Sequence, residues 1–240
     1  MVERIVEDRP MIVALQELGA GTLGRLAGWS GYAAYGDVSA RPRLPDPLGT
    51  LITDLNPNLL RSAVEGQAIA LLVDPALRVE SRRTIVLNSR RYRERLADEL
   101  GLGLHARLWW ARERRIAQAL RVRLPDERTA VVANYHATSY PDRRLADAEL
   151  RRAASFAVGL AEPDEAVVLA GDFNLTVVTS PTLRELSTEA WGFSSPGPGL
   201  DHVLVRGLEV THAERHWPED LRRHGEVLLS DHAPVELEVA

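Results

Sequence analysis

Ala166-Val167-Val168-Leu169-Ala170-Gly171-Asp172-Phe173-Asn174 is the stretch on which the fold turns. A short apolar, β-branched run closed by a glycine reads as a buried strand that stops in a loop. The loop delivers a carboxylate and an amide together at the strand's C-terminal end, where α/β proteins commonly place their sites. Taken alone, Gly-Asp-Phe-Asn is equally a surface turn, because Gly, Asp and Asn all favour turns. Its meaning depends on the other strand ends of the chain.

Upstream, Asp142–Ala161 carries Leu145, Ala148, Leu150, Ala153, Ala154, Ala157 and Leu160 near a 3.6-residue period, with Pro163 just beyond, and predicts a helix. Thr129–Asn134 predicts a strand ending at His136, turned back by Pro125-Asp126-Glu127 from a strand in the second half of Ile116–Leu124. Ser89 suits the N-cap of a helix over Arg90–Leu100, stopped by Gly101. Ala68–Val73 and Thr84–Leu87 read as strands, and Met11–Leu15 as a buried strand running into Gln16-Glu17. A short helix over 18–28 is expected, then a long loop over Ser30–Gly49, rich in Gly, Pro and Tyr. Downstream, Ser180-Pro181 opens a helix through Ala190, with proline at its favoured first position. Asp201–Val205 and Pro234–Val239 read as strands. Strands outnumber helices and several pair as hairpins, so mixed sheets with flanking helices are expected rather than a regular βαβ winding.

Composition narrows the class. The 240 residues suit one large domain over 1–240, and 45% hydrophobic content is enough for a sizeable core. No apolar run is long enough for a membrane span, and Met1-Val2-Glu3-Arg4 does not resemble a signal peptide, so a cytoplasmic, monomeric protein is expected. The absence of cysteine excludes disulfides and thiolate metal sites, leaving oxygen and imidazole ligands. A formal net charge of −5 argues against a charge-driven nucleic-acid binder. Every basic residue is Arg, and residues 82–123 hold twelve Arg against four acids; a solvated face is the ordinary explanation for such a run.

Four more strand ends carry polar groups: Glu17, His136, Asp201-His202 and Ser230-Asp231-His232. Singly, each is an ordinary surface acid, structural histidine, cap or turn. With Asp172 and Asn174 they form a set of carboxylates and imidazoles without thiolates. That set suits a hard divalent cation, which binds through one or two carboxylates, retained waters and substrate phosphate. A metal beside a His–Asp pair able to activate water is what phosphoester hydrolysis requires. The spacings hold no compact His cluster of the zinc-hydrolase kind.

Leu15-Gln16-Glu17, Asn134-Tyr135-His136, Gly171-Asp172-Phe173-Asn174, Leu200-Asp201-His202-Val203 and Ser230-Asp231-His232-Ala233-Pro234-Val235 follow one another as in the endonuclease/exonuclease/phosphatase superfamily, which the chain resembles from Met11 to Val239. Gly66-Gln67-Ala68-Ile69 is similar to that group's Gly-containing strand after the first loop. The resemblance implies a DNase I-like α/β (α+β) fold, a four-layer αββα sandwich of two mixed, mainly antiparallel sheets. It also implies a Mg²⁺-dependent phosphodiesterase, nuclease or phosphatase, with Mn²⁺ as the substitute ion. Glu17 and Asp231 would serve the metal, His232 would be the general base or acid, and Asp201 would orient it. Asp172 would position or activate water, Asn174 would hold a phosphate oxygen, and His136 would stabilise the pentavalent phosphorus. The substrate would be a phosphoester of nucleic acid, phospholipid or sugar. Members begin with a strand ending in Asn well before the Leu-Gln-Glu motif. Only ten residues precede Met11 here and none is Asn, so an N-terminally short domain is expected, in which either the start is assigned too late or that strand is missing. The alternative reading is a non-catalytic member with an incomplete metal site that binds a phospho-ligand or partner.

Overall fold

A computed structural model describes residues 1–40 and 66–240. The described chain runs α1 (Val2–Ile5), β1 (Ile12–Leu18), a 3-10 turn (Ala20–Arg25), α2 (Leu26–Ser30), β2 (Ala33–Ala40), β3 (Gln67–Val73) and β4 (Arg78–Val86). It continues through α3 (Arg90–Glu99), α4 (Leu104–Arg112), β5 (Ile116–Arg123), β6 (Thr129–His136), α5 (Arg144–Leu160), β7 (Ala166–Asp172) and α6 (Pro181–Leu186). The last strands are β8 (Asp201–Arg206), β9 (Val210–His216), β10 (Arg223–His224), β11 (Val227–Leu228) and β12 (Val235–Val239).

One sheet has the order β4-β5-β6-β7-β8, with only β6 and β7 parallel. A second, antiparallel sheet has the order β1-β3-β2; β9 pairs with β12 and β10 with β11. Alternation along the strands decides the layers. Val131, Ala133 and Tyr135 of β6, with Val167 and Leu169 of β7, pack under Ala146, Leu150, Ala153 and Ala157 of α5. The opposite face of the same sheet, Leu120, Val122 and Val132, meets Leu71 and Val73 of β3. The other side of β3, Ala70 and Leu72, packs with Val13, Leu26 and the partly buried Val2 and Ile5 of α1. The order is therefore helices, sheet, sheet, helices. The expected αββα sandwich is the observed fold.

A buried asparagine joins the two sheets. Asn134 of β6 donates through Nδ2 to the carbonyls of Leu15 (3.0 Å) and Ala70 (2.9 Å), and its Oδ1 accepts from Gln16 Nε2 at 2.7 Å. These bonds satisfy polar groups that would otherwise be costly to bury, and they pin β1 over β6 two residues before His136.

Several local expectations are corrected. Within the loop expected over Ser30–Gly49, Ala33–Ala40 forms strand β2, held by antiparallel pairing with β3; residues 41–49 lie outside the described residues. Its Ala, Gly and Asp content hides its strand character. Helix α4, for which the sequence reading has no expectation, carries Trp109-Trp110, with Trp110 buried. The Ser180–Ala190 helix ends at Leu186. Strand β9, Val210-Thr211-His212-Ala213-Glu214-Arg215-His216, carries no apolar alternation and forms by pairing with β12. Among the described residues, helix α1 is what precedes β1, and β1 and β12 each have a strand neighbour on one side.

Candidate active site

Register places three site residues in a row. β6 and β7 pair in parallel with His136 beside Asp172, and β8 runs antiparallel with Asp201 beside Asp172. Paired residues share a face, so these three side chains stand on adjacent strands and face the β1-β3-β2 sheet. His136 Nε2 lies 3.3 Å from Asp172 Oδ2.

The loop after β7 holds Asp172 rigidly. Its Oδ1 accepts the backbone N–H of Asn174 at 2.9 Å, and its Oδ2 accepts Asn174 Nδ2 at 2.8 Å. Asn174 adopts a left-handed backbone, φ 53°, which asparagine tolerates better than most residues. The Nδ2 of Asn174 also donates to the Ala137 carbonyl at 3.3 Å, so this amide is turned toward the protein. Burial pushes the Asp172 carboxyl up, but the hydrogen bond and charge of His136, the charge of His232 and the Asn174 N–H together hold it below the ordinary carboxylate value. Gly171 permits the close approach of the two parallel strands: its φ is 145°, and a Cβ would collide with the carbonyl oxygen of Tyr135.

Glu17 reaches the same place from the other sheet. The β1–β3 register shifts between Leu15 and Leu18, and Glu17 sits at φ 55°. Such an irregularity re-aims a side chain out of the pleat. Its Oε1 lies 3.6 Å from His136 Nε2, so Glu17 and Asp172 approach a single imidazole nitrogen.

His232 completes the set from the loop before β12. Its Nδ1 is 2.9 Å from Asp201 Oδ2 and 3.2 Å from Oδ1, and its backbone N–H donates to Ser230 Oγ at 3.1 Å. The Asp201 hydrogen bond, with the charges of Asp201, Asp172 and Asp231, outweighs partial burial and pushes the ring up to about 9. Ligand atoms of Asp172, Asp201 and His232 lie within 4.8 Å of one another, the spacing of a group able to hold a cation. Glu17 stands beside this group across His136, whereas Asp231 is exposed at its edge and only its carbonyl is held, by Arg222 at 3.2 Å. His202, which shares the Asp201 motif, is buried away from the set, with Nε2 2.9 Å from the Leu175 carbonyl oxygen and its ring edge-on to Phe173.

Two neighbours of the site escape the sequence reading. Arg115 is buried, with Nη1 3.1 Å from His136 Nδ1 and Nη2 2.8 Å from Glu113 Oε2. It is one arginine among the twelve of residues 82–123, and no spacing separates it from the exposed ones. Glu149 of α5 is fully buried; it accepts Trp110 Nε1 at 2.7 Å, Thr138 N–H at 2.7 Å and Thr138 Oγ1 at 2.8 Å. That carboxylate fastens helix α4 to the chain just after His136. Desolvation raises its pKa, against the opposing effects of the Arg115 charge and these donors.

The sandwich thus gathers these acids and histidines at one end. The chain belongs to the Endonuclease/Exonuclease/phosphatase family, whose family model matches residues 2–232. No curated protein matches it in sequence. Among solved structures, a humanized D. rerio TDP2 is 12% identical with a TM-score of 0.68, covering 100% of this chain and 88% of that one. A functionally unknown conserved protein from Enterococcus faecalis V583 is 13% identical with a TM-score of 0.66, covering 100% and 89%. The human Nocturnin catalytic domain with bound sulfate is 15% identical with a TM-score of 0.59, covering 99% and 84%. At these identities the likeness is one of fold. Among the described residues, no helix is long and apolar enough to cross a membrane.

Proposed function

We propose that this protein is a divalent-metal-dependent phosphoester hydrolase in which water attacks phosphorus directly. The observation that carries the reading is the row His136, Asp172, Asp201 on three adjacent strands, with His232 seated on Asp201 and Glu17 facing His136 from the other sheet.

The donors are carboxylates and imidazoles in a chain without thiols, which fits a hard cation such as Mg²⁺, with Mn²⁺ as the substitute. Glu17 would hold it, with Asp231 at the exposed edge and Asp172 and Asp201 adjoining. When bound, the ion would supply charge neutralisation of the phosphoryl oxygens. Asp201 engages Nδ1 of His232, fixing the ring so that Nε2 exchanges the proton with water or leaving group. Asp172, kept ionised chiefly by His136 and oriented by Asn174, accepts a hydrogen bond from the attacking water. His136, held at Nδ1 by Arg115, would present its other ring nitrogen to the equatorial oxygens, where negative charge grows in the transition state.

The test is hydrolysis of bis-p-nitrophenyl phosphate, single-stranded DNA and phosphoinositides, with and without Mg²⁺. Metal-dependent turnover of at least one supports the reading. Tight phosphate binding by calorimetry without turnover of any would replace it with the non-catalytic alternative.

A further inference from the structure

Arg115 meets His136 with few side-chain contacts to hold it there. Its Nη1 lies 3.1 Å from Nδ1 and 3.5 Å from Nε2 of the ring, and its Nε is buried without a partner. The ion pair of Nη2 with Glu113 Oε2, at 2.8 Å, joins two residues of the same short turn. That pair moves with Arg115 and does not fix it relative to β6. The fixing comes from the backbone where α4 ends and β5 begins.

One side chain grips that backbone. Asn88 stands just past β4 and is 1% exposed. Its Oδ1 accepts the Arg115 N–H at 2.8 Å. Its Nδ2 donates to the carbonyls of Glu113 at 2.7 Å and Trp110 at 2.9 Å. Beside it, Leu87 N–H donates to the Arg115 carbonyl at 2.8 Å, and Arg93 of α3 donates to the Asn88 carbonyl at 2.6 Å. The Asn88 amide therefore uses its oxygen and its NH₂ group on the turn that carries Arg115.

We infer that Asn88 is a positioning residue of the candidate active site, setting the Arg115 guanidinium against the His136 ring. It touches no reacting group and acts through Arg115. Its effect on turnover rests on the hydrolase reading; its grip on Arg115 does not.

The contacts close on themselves. Glu149 accepts Trp110 Nε1 and holds Thr138, two residues after His136, while Asn88 holds the Trp110 carbonyl. Trp110 is itself buried and edge-on to Tyr92 of α3. His136 and Arg115 are thus tied to one tryptophan from two sides, and a shift of either would break a buried hydrogen bond. Such rigidity matters because misplacement by about 1 Å can cost ~100-fold in rate. Asparagine is the side chain this place requires. Aspartate has the same shape but offers no hydrogen to the two carbonyls and buries a charge. Leucine, of similar size, would leave the Arg115 N–H and both carbonyls unpaired.

NMR and steady-state kinetics on Asn88→Asp, with Asn88→Ser as the milder change, test this below each variant's melting temperature. The Arg115 Nε–H is shut away from water and should give a slowly exchanging proton–nitrogen peak, identified by its loss in Arg115→Lys. The buried Nε of Arg121, towards the other end of β5, is the internal control. Each Asn88 variant should shift the Arg115 peak and speed its exchange while leaving the Arg121 peak in place. On soluble bis-p-nitrophenyl phosphate, each should lower kcat ~tenfold or more with KM within ~twofold. In an Arg115→Ala background the same substitutions should still lower the melting temperature but leave kcat where Arg115→Ala put it.

A wild-type Arg115 peak that exchanges freely would overturn the inference without any variant. So would an Arg115 peak unmoved in the variants, or a kcat loss that persists undiminished beside Arg115→Ala, which would make Asn88 purely structural. Hydrolysis by the wild type with an unchanged kcat in the Asn88 variants would remove the positioning role and keep the hydrolase reading. A wild type that turns over no ester would do the reverse if the Arg115 peak still shifts as expected.

Discussion

His232 and Asp201 meet through Nδ1 and Oδ2 at 2.9 Å, joining the loop before β12 to the first residue of β8. The contact holds the imidazole by one nitrogen and, in the metal-free protein, keeps its proton up to about pH 9. A histidine titrating that high is charged at neutral pH.

This shift has a stability consequence of definite sign. The folded ring binds its proton more tightly than the unfolded one, whose value is 6.5. Its contribution is therefore complete below pH 6.5 and is lost as pH rises through about 9. NMR titration of His232 in EDTA should give a value well above 6.5, and Asp201→Asn should bring it down. An unshifted ring in the wild type would refute the pairing.

Removing the proton-handling groups should slow chemistry more than binding. His232→Ala and Asp172→Asn should each lower kcat by ~100-fold or more, the usual scale for acid–base groups. Steady-state kinetics on whichever ester is turned over decides it; rates near wild type would end these assignments.

Arg115 should be needed as an arginine. Arg115→Lys keeps a charge but loses the planar fork that spans His136 and Glu113, so it should recover little of the activity lost in Arg115→Ala. If lysine restores most of the rate, a point charge is enough.

Gly171→Ala should destabilise the fold by about 3 kcal/mol, because the added Cβ meets the Tyr135 carbonyl and the backbone is in a glycine region. Urea unfolding measures it. A loss too small to resolve would mean that β6 and β7 separate easily.

Glu149→Ala should cost about 3 kcal/mol, since Trp110 Nε1 and both Thr138 donors lose a buried acceptor. Thermal unfolding would show it, and an unchanged midpoint would mean that water replaces the carboxylate.

Much of this was legible from residue order. The run Ala166–Ala170 is a strand, His136 closes another, and Asp201 opens a third, as the apolar runs and turn residues imply. Strand β2 and strand β9 were not legible, because Ala, Gly, Asp and alternating charges carry no periodic signal and both strands exist through their partners. Trp109 and Trp110 are adjacent in sequence yet divide between surface and core, which depends on how α4 is turned.

The sequence by itself determined the strand-end chemistry: which acids and imidazoles close or open strands, and in what order. Periodicity reports which face of an element is buried, and turn residues report where it stops. Tertiary structure alone decided that His136, Asp172 and Asp201 stand side by side, that a register shift aims Glu17 at His136, and that Arg115 is buried against the same ring. Those relations follow from pairing register and packing between strands far apart in the chain, and one element's own residues do not encode them.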